Sequence, residues 1–222
     1  MCSSDLVQVE DATQATAHYG VYGPAAAEIV SSIALTPRAA VLPSLDAGVS
    51  GFEVIALRSQ GPELARTFAE SGAVAVAAST LDVVRIEAGI PKFLVDMTTD
   101  TIPLEATIED RAISMTKGCY PGQEVIIRVL HRGGGRVAKK LVGFRFDDGM
   151  RAPSGGEKVR SGDREIGVVT SAAWSPRLAG AIALGYVHRD FVTPGTQVVV
   201  GDANAKISAL PFYPSASADL AP

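Results

Sequence analysis

Cysteine is scarce in this chain. Two residues in 222, Cys2 and Cys119, are too few for a disulfide framework, and a reducing, cytosolic (cytoplasmic) setting is the default expectation. Histidine is equally sparse. His18, His131 and His188 are scattered and no CxxC occurs, so no four-ligand structural zinc site is expected. No run of about 18 apolar residues is present, which predicts no membrane-spanning helix, and the first residues lack the three regions of a signal peptide. What is present is apolar content: 47% hydrophobic against 20% charged residues is enough for a real core and speaks against intrinsic disorder.

The net charge of −4 hides an asymmetry. Residues 1–110 hold 5 Lys/Arg against 15 Asp/Glu, residues 111–145 hold 8 against Glu124 alone, and residues 146–222 hold 7 against 8. A basic stretch inside an acidic protein points to an anionic partner, or to a solvated face that balances the acidic half. RNA is a weak candidate, since no RNA-binding signature accompanies the charge.

The patterning predicts an α+β or α/β first part. "VYGPAAAEIVSSI" (21–33) reads as a strand end, a turn and a helix, and "FEVIALR" (52–58) as a strand. "GPELARTFAES" (61–71) reads as an amphipathic helix with Pro62 at its start and Gly72 after its end. "AVAVAA" (73–78) fits a short buried strand, and Ser79 an N-cap for the helix "TLDVVRIEAG". Residues 91–116 read as an ordered loop with short helical turns. From 139 onward, short strands separated by turn residues, with a hairpin turn at Ser161–Asp163, predict a small antiparallel barrel or sandwich. The expected organisation is an α/β domain over 1–136, a β-barrel domain over 137–213 and a loose tail from about 211. The opening "MCSSDL" fits nothing that follows and looks like translated sequencing adapter; the natural protein is expected to begin earlier.

Two stretches carry chemistry. In "KGCYPGQE" (117–124), Cys119 stands just before a predicted helix over 121–132, beside Lys117. Free N–H groups and positive charge there would favour a thiolate, hence a nucleophile, a redox thiol or a metal ligand. The alternative is a buried small hydrophobe. His131 lies twelve residues along the predicted helix, roughly 18 Å at about 1.5 Å per residue, too far to act as its base. In "RIEAGIP" (85–91), Glu87 ends a helix, where a carboxylate meets the unfavourable end of the dipole. Taken alone it reads as a surface carboxylate.

Together, "RIEAGIP", "IPLEA", "KGCYPGQE" and "IIRVLHRGGGRVAKKLVG" resemble the YgfZ-type folate-binding proteins, relatives of the glycine cleavage T-protein, an aminomethyltransferase. "IGVVTSAAWSPRLAGAIALGYV" resembles the barrel of that superfamily. The resemblance implies a tetrahydrofolate site between α/β domains with the barrel alongside, and a missing N-terminal segment. It implies that Glu87 holds the pterin, and it matches Cys119 and Lys117 to residues characteristic of the YgfZ-type branch. Cys119 is expected to act in catalysis as a thiolate that carries a one-carbon or sulfur species or touches a cluster, with Lys117 steadying its charge, and Gln123 and Arg128 are expected near the ligand. It also implies partners among iron–sulfur enzymes, including tRNA-modifying ones, or their assembly factors. The other reading that it allows is a folate-dependent aminomethyltransferase.

Overall fold

A computed structural model describes residues 8–34, 39–132, 134–147 and 149–213. "MCSSDL" and Cys2 lie outside them. The chain forms two compact units that part between Ala77 and Ala78. The expected boundary at 136/137 instead precedes the first barrel strand, and residues 78–136 fall in the same unit as the barrel.

In the first unit, β1 (Thr16–Tyr22), β2 (Ala40–Ser44) and β3 (Gly51–Leu57) form an antiparallel sheet in the order β1-β3-β2. Successive strand residues face opposite sides. Tyr19 and Val21 of β1, Val41 of β2, and Phe52, Val54 and Ala56 of β3 share one face. They pack with α1 (Ala26–Ser32) and α2 (Gly61–Glu70) through Ile29, Val30, Leu64 and Phe68. The other face carries His18, Gly20 and Tyr22 opposite Ile55, Glu53 and Gly51. Leu42 faces Glu53 from the far side. Residues 73–77 form no strand; Val74 and Val76 are exposed. A short apolar run cannot by itself declare a strand, and this one passes straight into a helix.

The second unit opens with α3 (Ala78–Glu87), which begins one residue before the expected cap at Ser79 and lies against β6 and β7. The segment 91–122 is a loop with one short helix, α4 (Glu109–Ala112). The expected helix over 121–132 is broken in two, α5 (Gln123–Ile127) followed by a wider π turn over Arg128–Arg132. The barrel is closed: β4 (Lys139–Phe146), β7 (Gly180–His188), β6 (Arg164–Ser175), β5 (Lys158–Ser161), β8 (Gln197–Val200) and β9 (Ala203–Ser208), in that order around the ring. Closure leaves no free sheet edge. Phe144, Phe146, Val159, Val169, Val187, Val200 and Ile207 fill the interior.

Outside the barrel, Ile86 of α3 packs with Leu141, Ile182, Leu184 and Tyr186. Residues 210–213 lie down against this cluster, so the expected loose tail is packed at its start. Leu210 and Phe212 join the same cluster, and the Phe212 amide donates to the Glu87 carbonyl at 3.0 Å. Gly89 turns the chain after α3 at φ +72, and a Cβ there would meet Leu210 Cβ at 2.7 Å. Gly185 of β7 is pressed against β6: a Cβ there would meet the Val168 carbonyl oxygen, and Val169 Cα at 2.8 Å. Gly185→Ala should therefore lower barrel stability by about 1–3 kcal/mol, the usual range for overpacking. Denaturant unfolding followed by the single tryptophan, Trp174 of β6, measures it, and an unchanged midpoint would refute the close approach.

Candidate functional site

Helix α3 turns two charged residues into the protein rather than toward water. Arg85 is 6% and Glu87 5% exposed. The Arg85 guanidinium donates to Asp82 at 2.7 Å, to the Ile90 carbonyl at 3.1 Å, to Asp96 at 2.6 Å and to Ser171 of β6 at 2.7 Å. Asp96, 3% exposed, also accepts from the Lys92 amide at 2.8 Å, from Ser171 at 2.6 Å and from Thr170. A buried ion pair is tolerated when its remaining donors and acceptors are satisfied, and here they are. The network fastens the loop after α3 to the barrel wall.

Glu87 is not the surface carboxylate that its residue type suggests. Burial at a helix C-terminus, where the dipole opposes negative charge, requires donors aimed at it. Ser175, at the end of β6, donates to one oxygen, and Tyr213 donates to the other at 2.6 Å. Ser175 Oγ is oriented in turn by the Leu178 amide at 3.0 Å. The Arg177 guanidinium lies 3.6 Å from the Tyr213 ring centroid. Burial, then the hydrogen bond to Glu87 and its negative charge, push the Tyr213 phenol up; Arg177 opposes them. Both oxygens of Glu87 thus have protein partners.

A second carboxylate has the opposite character. Glu53, mid-strand on the face of the three-stranded sheet away from α1 and α2, accepts from the Tyr22 hydroxyl and pairs with His18 Nε2. Its side chain keeps 16% exposure and that of His18 58%. The Tyr22 ring fills the space over Gly20 and Gly51, where a Cβ on either would strike it. Burial first, then the hydrogen bond to Glu53, push Tyr22 up to about 12. The result is an oriented, partly exposed carboxylate. Sequence reading passed over Glu53, although its place mid-strand in "FEVIALR", opposite an aromatic hydroxyl, was the available signal.

Among the described residues, the octapeptide makes no hydrogen bond to the Glu87 carboxylate. Cys119 is exposed, which removes the buried-hydrophobe alternative. The helix that should follow it directly begins only at Gln123, with Gly122 as N-cap in the left-handed region at φ 84. The thiol therefore lies outside the first turn, where a helix dipole acts. The Lys117 ammonium sits over the Tyr120 ring, 4.4 Å from its centroid. Gln123 folds back to accept from the Tyr120 amide at 3.3 Å, which makes it a local cap. Arg128 falls in the π turn. Among the described residues no group of three or more His, Cys, Asp or Glu side chains is placed to hold a metal ion, and no helix is long and apolar enough to cross a membrane.

Two outcomes test this geometry. Asp96→Ala should cost about 3–5 kcal/mol, because it leaves the Arg85 charge buried without its partner; chemical denaturation reads the loss. Tyr22 favours its protonated form in the fold, so its contribution to stability is complete below about pH 10 and is lost as pH rises through about 12. Burial pushes Tyr186 up to about 12 as well, so an ultraviolet titration should show two late phenols near pH 12, and Tyr22→Phe should remove one of them.

Residues 139–214 match the glycine cleavage T-protein C-terminal barrel domain. The chain is 35% identical over 176 residues to an aminomethyltransferase of Saccharopolyspora erythraea, a match covering 75% of this chain and 47% of the relative. It is 30% identical over 233 residues to one of Streptomyces coelicolor, covering 93% and 62%. The crystal structure of glycine cleavage system aminomethyltransferase T from Bartonella henselae superposes with a TM-score of 0.71 at 25% identity, covering 80% of this chain and 50% of that one. The chain thus spans about half the length of the relatives it matches. The closed six-stranded barrel is a T-protein C-terminal barrel domain, and the likeness to aminomethyltransferases, which extends well beyond it, places the chain in the glycine cleavage T-protein superfamily.

Proposed function

We propose that this chain is the folate-binding part of a one-carbon transfer protein of the aminomethyltransferase type, with tetrahydrofolate as its ligand. The observation that carries the reading is the oriented carboxylate of Glu53, which keeps 16% exposure. A pterin presents a ring N–H beside an amino group, and a carboxylate accepts from both. Each carboxylate oxygen has two acceptor sites, so Glu53 can receive the pterin while Tyr22 and His18 keep it in place. Gly20 and Gly51 let the Tyr22 ring lie flat on the sheet, which aims its hydroxyl at Glu53. The aminomethyltransferase relatives support the same reading, since they match three quarters of the chain or more.

This places the pterin on Glu53 rather than on Glu87. To receive a pterin, Glu87 would have to open a site that is 5% exposed and closed over by Ser175 and Tyr213. Its role is to anchor residues 210–213 and the end of α3. Tetrahydrofolate supplies the nitrogen that carries the one-carbon unit; the chain binds and orients the pterin.

A second reading rests on a separate observation, the exposure of Cys119 in a glycine-flanked loop. An accessible thiol beside Lys117 suits a protein that supports iron–sulfur enzymes, including tRNA-modifying ones, by carrying sulfur or contacting a cluster. Arg128 and the neighbouring basic residues would then meet the partner.

Calorimetric titration of tetrahydrofolate into the protein separates these readings. Glu53→Gln should weaken binding by about 1.5–3 kcal/mol, the range for hydrogen bonds to a charged group. Glu87→Gln should lower stability while leaving affinity largely intact. Equal affinity in Glu53→Gln and a loss in Glu87→Gln would move the pterin back to α3. Cys119→Ser should not alter folate affinity. If it nonetheless abolishes rescue of an iron–sulfur enzyme defect in cells, the second reading gains the thiol; full rescue removes it.

A further inference from the structure

The outer wall of the barrel carries two cations in direct opposition. Arg145 of β4 and Lys206 of β9 are register partners, so their Cβ atoms lie about 5 Å apart on the same side of the sheet. Like charges placed opposite each other across strands are destabilising. The usual remedy is a carboxylate between them, and among the described residues neither side chain has an ion pair or hydrogen bond. Both line an open hollow of about 480 Å³, together with Asp147, Gly195 and Ser208. Phe146 and Ile207, beneath them in sequence alternation, point into the barrel core, so the wall under the cations is rigid. On the far side of β9, Lys206 faces Gln197 of β8, which offers no compensating charge.

We propose that this hollow is an oxyanion site, in which Arg145 and Lys206 together hold the phosphate or carboxylate group of a small ligand. An anion between the two side chains turns their mutual repulsion into a shared attraction. Arg145 can grip two oxygens at once through its planar fork, and Lys206 adds a point charge. The Ser208 hydroxyl borders the same hollow and donates to the Ala209 carbonyl at 3.2 Å. Asp147 sets the selectivity. Its carboxylate opposes a bare anion of high charge and accepts from a ligand that carries a hydroxyl or amino group beside the anionic one. The site lies wholly on the barrel and does not depend on the folate reading. It also gives a use to Arg145, the last residue of the basic segment seen in the sequence.

The test is an NMR titration of backbone amides with inorganic phosphate, and separately with triglutamate, against chloride at matched ionic strength. Shifts should concentrate at Arg145, Gly195, Lys206 and Ser208. Arg145→Gln and Lys206→Gln should each weaken binding by about fivefold, the scale of one solvent-exposed charge pair, and Asp147→Asn should strengthen it. These exposed substitutions leave the core intact, which thermal unfolding verifies. A response to phosphate alone identifies a phosphoryl ligand, and a response to triglutamate alone a polycarboxylate. Shifts no larger than those with chloride, or an unchanged titration in the Arg145→Gln/Lys206→Gln double variant, overturn the proposal.

Discussion

The Arg85–Asp96 pair is the interaction on which the second unit depends. It joins a helix, the loop that follows it and a barrel strand, three elements that no single sequence segment brings together. Without the pair, α3 would meet the barrel through Ile86 and its apolar neighbours and through the single Glu87–Ser175 bond at its end, and apolar contact sets no register. A hydrogen-bonded ion pair does, because each guanidinium donor and carboxylate lone pair has a direction. The bonds to Ser171 and Thr170 fix which turn of α3 faces which residue of β6. Leu94, held just before Asp96 at φ 64, shows how tightly the loop is drawn. A bulky residue rarely adopts that conformation unless its surroundings impose it.

The same geometry explains the two glutamates. Glu87 lies two residues after Arg85, so it leaves α3 on a different side and meets the other end of β6, at Ser175. No described cation contacts it directly. Two hydroxyls satisfy it instead, and one of them belongs to Tyr213, far along the chain. Glu53 is also met by a hydroxyl, but on a sheet face that nothing in its own unit covers. One carboxylate is a fastening and the other is a presented group. Residue type does not separate them; only what covers them does.

That difference marks where the sequence could and could not be read. The barrel was legible because its strands are short and its turns carry their own signals, as at Ser161–Asp163. Helix α2 was legible from its apolar spacing and from Pro62 at its start. The segment 73–77 misled because a short apolar run has no period to distinguish a strand from an exposed linker. The break in the helix after Ile127 had no proline to announce it. The partners of Arg85 and Glu87 were out of reach altogether: Ser171 and Ser175 lie 86 and 88 residues away, and a serine in a strand carries no mark of what it bonds. Motif resemblance led to the right superfamily and to a buried glutamate, because a motif records that a position matters without recording why.

The exposed thiol follows from the same logic. Lys117, Tyr120 and Gln123 interact with one another or with adjacent backbone, so the octapeptide is ordered by its own residues. None of these contacts ties Cys119 to the Arg85 network or to Glu53. A loop that folds on itself and holds out one cysteine needs no neighbour to keep its shape, and its chemistry is free to be directed outward. The folate reading draws on the sheet of the first unit and the thiol reading on this loop. The two readings are therefore separable by substitution, and a protein that used both would combine a pterin-holding carboxylate with a thiol offered to something else.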